Sequence, residues 1–292
     1  AARTFLEDYA RPVEGDEPLA TVLRQQAASM LNRPDSVLFH DELGDCYHPQ
    51  QLGEVAAAAR ARGLRLLTDA GRNRHLDGFL PDGAAVPADP DAAVLRAAIA
   101  SDYDNLRYFR HSLLVREEAR IDRTIDAARI ADCWLTTRLQ RQADGSFVLS
   151  GDTIEIADEE LAAALERAAA RAPERVPLAE IAQTAEQLRV VLQLFAEWYV
   201  TLWLHPTPFP LAAGERPRTS PLVRAMLERG DLAVCTLDHA LLKIEQGELR
   251  ALLLAADGTR SLAQIAALDH GIPAEEGAAA LNASAQRGLL AG

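Results

Sequence analysis

The sequence predicts a mainly α protein with small β elements (α+β): a helical N-terminal domain followed by two tandem winged-helix-like units. Three observations predict it. Alanine makes up roughly a fifth of the chain and has the highest helix propensity of all residues. Aromatic residues are only 5%, so strand-favouring side chains are scarce. Finally, the order strand, helix, short second helix, third helix and apolar tail occurs twice in the second half.

The elements follow in order. Asp16 can cap a helix running to about Leu31, with Leu19, Val22, Leu23 and Ala27 on one face. Pro34 opens a short segment, Ser36–Leu43. His48-Pro49 begins the clearest helix, with Leu52, Val55, Ala56 and Ala59 inward and Gly63 as its stop. Leu64–Leu67 alternates like a brief strand, and the prolines and glycines between Gly71 and Pro90 mark a loop. Helical spacing resumes at Ala92–Ile99 and again at Tyr103–Arg110, and Ser112–Val115 suits a strand or a helix end. From Trp134 the period changes. Trp134–Arg141 alternates, Asp144-Gly145 turns, and Phe147–Leu149 returns, which predicts a β-hairpin.

The repeat sets Thr153–Leu165 on Leu241–Leu253 without gaps, then Pro177–Ala182 on Ser261–Ala266. Leu192, Ala196 and Val200 share the spacing of Leu281, Ala285 and Leu289. The domains expected are residues 1–118, 119–215 and 216–292. The third helices are read as Glu186–Trp203 and Ala274–Arg287. Both are poor in the Arg, Lys, Asn and Gln that read base edges. These units are therefore expected to dock protein, with a winged-helix transcription-regulator-like DNA-binding protein as the alternative.

Charge supports that preference. With Lys+Arg 30 against Asp+Glu 43 the chain carries −13, the wrong sign for phosphate backbones. No membrane span and no signal pattern is visible. Cys46, Cys133 and Cys235 form neither a disulfide framework nor a zinc pattern, and they suit a reducing cytoplasm. The chain starts at Ala1 within a helical-looking segment, so a piece of something longer is expected.

Catalytic signals are few. His40-Asp41-Glu42 with Cys46 and His48 is the densest set of potential metal ligands, but zinc-ligand spacing is missing. A metal-dependent hydrolase through His40-Asp41 is the third reading. No nucleophile elbow occurs. Asp158-Glu159-Glu160 suits a helix start, and Asp122, Arg123 and Asp126 a capped, solvated turn. Gly-x-Gly does not occur once, so the glycine cradle that adenosyl cofactors use is not expected.

Several stretches together resemble one family. Pro34-Asp35-Ser36-Val37-Leu38-Phe39-His40-Asp41-Glu42-Leu43, then His48-Pro49 and Ala61-Arg62-Gly63-Leu64-Arg65-Leu66-Leu67, resemble the methyltransferase regulatory domain. Tyr103-Asp104-Asn105-Leu106-Arg107-Tyr108-Phe109-Arg110-His111-Ser112-Leu113-Leu114 is similar to a later block of that family in shortened form. Arg216-Pro217-Arg218-Thr219-Ser220-Pro221-Leu222, His239 and Asp257-Gly258-Thr259-Arg260 resemble the C-terminal winged-helix domain of bacterial protein-lysine methyltransferases. Val37 and Leu66 stand where that family usually has aromatics.

The resemblance implies a non-catalytic regulatory or substrate-recognition segment, not itself an enzyme, that lacks the S-adenosylmethionine-binding domain. It implies no cofactor in this chain, with S-adenosylmethionine bound by an associated catalytic domain in cis or in trans. A protein substrate and a homodimer are compatible with it; nucleic acid is not expected. His40, Asp41 and Glu42 are then expected near the catalytic cleft, and Phe109, Arg110 and Leu114 as its packing support.

Overall fold

The computed structural model describes residues 2–11, 17–33, 35–42, 48–70, 78–80, 83–107, 109–244, 247–268 and 271–292. The chain divides into two compact units, residues 1–65 with 115–118, and residues 66–114 with 119–292.

In the first unit, helix α1 (Ala2–Tyr9) packs on α2 (Pro18–Leu31). Arg24 lies 5.1 Å from the Tyr9 ring centroid, and Arg3 Nη1 donates to the Leu31 carbonyl at 2.9 Å. The expected start at Asp16 falls outside the described residues. Pro18 opens the helix after Glu17, whose side chain makes no capping bond. Of the face predicted to be apolar only Ala27 is buried: Leu19 is 70% exposed, and Val22 and Leu23 are exposed. Helical spacing selects a face but not the partner that covers it. A single turn, α3 (Asp35–Val37), runs into a π-helical turn at Leu38–Glu42. Helix α4 (Leu52–Arg60) begins three residues after Pro49, at a capping box in which the Gln51 N–H donates to Glu54 Oε2 at 2.9 Å. Leu52 and Ala59 are buried as predicted, and Gly63 leaves the helix at φ +69°.

Strands β1 (Leu64–Asp69) and β2 (Ser112–Arg116) pair as a two-stranded ribbon. In the second unit, α5 (Pro90–Asp104) starts where Asp89 accepts the Ala92 N–H at 2.9 Å. Of the helix predicted over Tyr103–Arg110 only Tyr103 and Asp104 are helical, as the end of α5. Leu106 turns to φ +46° and the Arg107 N–H donates back to the Asp102 carbonyl at 2.8 Å. Arg107 and Arg110 then both reach Asp102, an ion-pair arrangement that a continuing helix would pull apart. The solvated turn expected at Asp122–Asp126 is half right. Asp122 and Asp126 cap as expected, whereas Arg123 is buried, donating to Asp91 at 2.9 Å, to the Gly78 carbonyl at 2.8 Å and to the carbonyls of Leu66 and Leu67. Gly78 sits so close to the Leu67 carbonyl that a Cβ would collide with it.

The predicted hairpin divides between two sheets. β3 (Trp134–Thr137) is the centre of a three-stranded antiparallel sheet, flanked by β7 (Val176–Pro177) and β8 (Val200–Trp203). β4 (Gln140–Arg141), β5 (Phe147–Leu149) and β6 (Asp152–Ile154) form the expected turn as a separate meander, with Gly145 at φ +91°. α6 (Glu159–Ala170) and α7 (Ala185–Ala196) cover these sheets, the first capped by Asp158 and the second by a Thr184–Gln187 capping box. Their core holds Leu135, Phe147, Leu161, Leu165, Leu178 and Val191. The helix expected over Glu186–Trp203 stops at Ala196, and Trp198 at φ +73° turns the chain into β8.

The last stretch runs β9 (Arg218–Thr219), α8 (Pro221–Arg229), β10 (Ala233–Cys235), β11 (Leu241–Lys243), α9 (Gly247–Ala255), α10 (Leu262–Ala266), α11 (Ala274–Gln286) and β12 (Leu290–Ala291). β10 pairs with β11 and β12 with β9, around a second core that includes Val223, Leu227, Leu252, Leu253 and Leu281. The repeated order is present. β6, α6, a 3-10 turn at Leu178–Glu180, α7 and β8 match β11, α9, α10, α11 and β12. Matched apolar positions are buried in both copies: Leu165 with Leu253, Ile181 with Ile265, Val200 with Leu289. The architecture is mixed, with helices and small sheets. Among the described residues no helix is long and apolar enough to cross a membrane.

Candidate functional site

Alternation along β3 and β8 gives their sheet two different faces. Leu135, Val176 and Val200 are buried in the first core. Trp134 and Thr136 lie on the other face, directly opposite Trp203 and Thr201. The β3–β7 register pairs Leu135 with Val176 and so sets Arg175 beside Thr136. This outer face floors a cleft of about 310 Å³.

Arg175 is its central group. The side chain is 3% exposed, and the guanidinium carbon stacks 3.6 Å from the Trp203 ring centroid. Nη2 pairs with Asp238, and Nη1 lies 2.8 Å from His205 Nδ1. The Arg175 N–H donates to Thr207 Oγ1 at 2.8 Å. Burial pulls the guanidinium below its ordinary pKa, while the Asp238 carboxylate pushes the other way. Asp238 comes from the β10–β11 turn, where its N–H and that of Ala240 donate to Thr236 Oγ1 at 3.3 and 3.1 Å. The ion pair thus joins the module of the first core to that of the second.

The rest of the cleft is polar and aromatic. Trp203 Nε1 donates to Thr136 Oγ1 at 2.9 Å, and Thr137 Oγ1 donates to the Tyr199 carbonyl at 2.7 Å. Trp198, Tyr199 and Leu149 add walls, with the cis Ala172–Pro173 bond on one side. Arg138 also lines the cleft, exposed and without a carboxylate partner among the described residues. Its neighbours differ: Arg141 pairs with Glu159 and Glu166, and Arg171 with Glu174 and Glu180.

The residues singled out from sequence lie elsewhere. His40 is exposed on the π-helical turn; Asp41 and Glu42 share that turn, and their side chains fall outside the described residues, as does Cys46. His48 is exposed. Among the described residues no three His, Cys, Asp or Glu side chains gather as metal ligands. Phe109 is 66% exposed, with its ring edge-on to His111 at 4.8 Å, and Leu114 is 38% exposed. Arg110 is the engaged one. It chelates Asp102 through Nε at 2.9 Å and Nη2 at 2.7 Å, reaches Asp69 at 3.2 Å, and donates to the Ala98 carbonyl at 3.1 Å. It holds the end of α5 against the end of β1. Sequence reasoning missed Arg138, Arg175, Trp198, Trp203 and Asp238. A signal was present: the chain's three tryptophans are Trp134, Trp198 and Trp203, and all three belong to this sheet or its lead-in.

The fold is methyltransferase-like. PKMT2 from Rickettsia typhi, a protein-lysine methyltransferase, superimposes with a TM-score of 0.78 at 16% identity, over 99% of this chain and 68% of that one. Its complex with AdoHcy gives 0.72 at 16% identity, over 99% and 67%. No protein-family profile matches the chain, and no curated protein matches it. At 16% identity the likeness carries the fold. It corrects the expectation of a non-catalytic, regulatory, non-enzyme segment without S-adenosylmethionine binding, because the fold spread over 99% of this chain is that of an AdoHcy-binding methyltransferase. A methyltransferase-like fold is supported, and a regulatory domain is not.

Among the described residues no glycine cradle for the cofactor is built. Among the described residues the sheets have two or three strands, and Gly-x-Gly is absent from the whole sequence.

Proposed function

We propose that this protein is an S-adenosylmethionine-dependent methyltransferase whose acceptor is a protein lysine. One observation carries the reading: 99% of the chain superimposes on a protein-lysine methyltransferase that binds AdoHcy. The charge of −13 supports it, since an acidic surface steers lysine-rich protein segments toward itself. Within this reading the two repeat copies are winged-helix-like modules that contact protein. The boundaries at 118 and 215 separate them from each other and from the N-terminal helices, and the chain works in the cytoplasm.

The test pairs two measurements on the whole chain. Calorimetric titration with AdoHcy is expected to give saturable heat, and tritiated S-adenosylmethionine is expected to label lysines in a panel of basic proteins. No heat with millimolar AdoHcy and no label on any acceptor would overturn the proposal.

A further inference from the structure

We propose that the outer face of the β7-β3-β8 sheet binds an anionic group, a carboxylate or a phosphate, carried on a planar or apolar body.

In a chain of −13 the cleft contains two arginines and one carboxylate. Asp238 is taken by Arg175, which leaves Arg138 as an exposed cation with no carboxylate of its own among the described residues. Arg141 and Arg171 nearby are each clamped by two glutamates. An anion entering here meets a guanidinium that needs no internal pair broken first, and guanidinium bonds to carboxylate or phosphate are the strong, charge-assisted kind.

Thr136 and Thr201 face each other across the strand pair, and the Thr201 side chain is exposed toward solvent. Its hydroxyl can donate to an oxyanion. Thr136 Oγ1 already accepts from Trp203, so its own proton is free to point outward. Beside these hydroxyls stand Trp198, Tyr199 and Trp203, which offer apolar surface to a flat body. Arg175 occupies one face of Trp203 and stiffens it, so the aromatic wall is preformed.

Trp198 and Trp203 line the cleft, so intrinsic fluorescence is the readout. The full chain is titrated with benzoate, with phenyl phosphate and with neutral benzamide as the uncharged analogue. Benzoate or phenyl phosphate is expected to shift the emission with a Kd about tenfold or more below that of benzamide, weakening with added salt. Arg138→Gln is expected to raise that Kd about tenfold, and Arg138→Lys to recover part of it. Arg138 is exposed, so both variants keep the fold, which circular dichroism checks. Preference for benzoate assigns the site to a carboxylate, such as an acidic side chain of a bound segment. Preference for phenyl phosphate assigns it to a phosphate. Binding of benzamide as tight as either anion, binding unchanged in Arg138→Gln, or no emission shift with any probe overturns the proposal.

Discussion

Arg175 lies flat on Trp203, 3.6 Å from its ring centroid, and at the same time closes an ion pair with Asp238, sixty-three positions further along the chain. One side chain therefore holds the outer face of the first core's sheet to a turn of the second core's hairpin. A guanidinium suits this place because its plane stacks while its edge still donates. The arrangement costs desolvation, and Asp238 and His205 offset it.

Removing the carboxylate should expose that cost. Asp238→Asn is expected to lower unfolding stability by about 2 kcal/mol, short of the roughly 3–5 kcal/mol for a fully buried pair because Asp238 keeps some solvent. Urea denaturation followed by tryptophan fluorescence measures it. A change within experimental scatter would show that Arg175 is adequately solvated without Asp238.

Arg110 should prove structural. Its chelation of Asp102 and its contact with the buried Asp69 predict a loss of about 3 kcal/mol for Arg110→Met, because a buried carboxylate loses a partner. Arg110→Lys is expected to recover less than half of that, since an ammonium cannot reproduce the fork. Thermal unfolding of the three proteins decides it, and a lysine variant as stable as the parent would refute the fork argument.

Asp122 offers a pH signature. The Thr124 hydroxyl and N–H, at 2.7 and 3.0 Å, together with Arg129, hold its carboxyl down to about 2 against an ordinary 3.8. A depressed folded-state pKa means that the stabilisation is present above the unfolded value and disappears as pH falls through about 2. Carboxyl NMR titration is expected to place the Asp122 midpoint well below those of unbonded aspartates, and Thr124→Val to bring it back up. A midpoint in the ordinary aspartate range in the parent protein would contradict this.

The N-terminus of α7 provides a calibration. Thr184 accepts the Gln187 N–H at 3.2 Å while Gln187 Oε1 accepts the Thr184 N–H at 3.3 Å. Thr184→Ala is expected to cost about 1 kcal/mol in urea denaturation. Gln187→Ala should cost more, because its amide also donates to the α6 cap Asp158 at 2.9 Å and its side chain is buried. Equal losses would mean that the link between the two helix starts contributes nothing.

Local signals were legible wherever one residue decides the outcome. Asp158 starts the helix that follows it, Gly63 and Gly145 turn at positive φ, and the repeat in residues 153–200 and 241–289 returns as one element order around two cores. Each depends on a bond or an angle spanning a few residues. The third helix of the first copy was misread beyond Ala196 because Tyr199–Trp203 is apolar enough for either state, and only pairing with β3 makes it a strand.

What the sequence by itself determined was therefore the alphabet of this protein: alanine-rich capped helices, short strands, an acidic surface and a duplicated order of elements. Tertiary structure alone decided which polar groups meet. Arg138, Arg175, Trp203 and Asp238 come from four separate stretches, and nothing in their local context separates Arg175 from the solvated Arg171 or Asp238 from a turn aspartate. A three-stranded register and a hairpin turn bring them together, and a contact between distant residues leaves no periodicity in the chain that makes it. The same reason put Arg110 at the hub of an ion-pair cluster while Phe109, beside it, faces solvent.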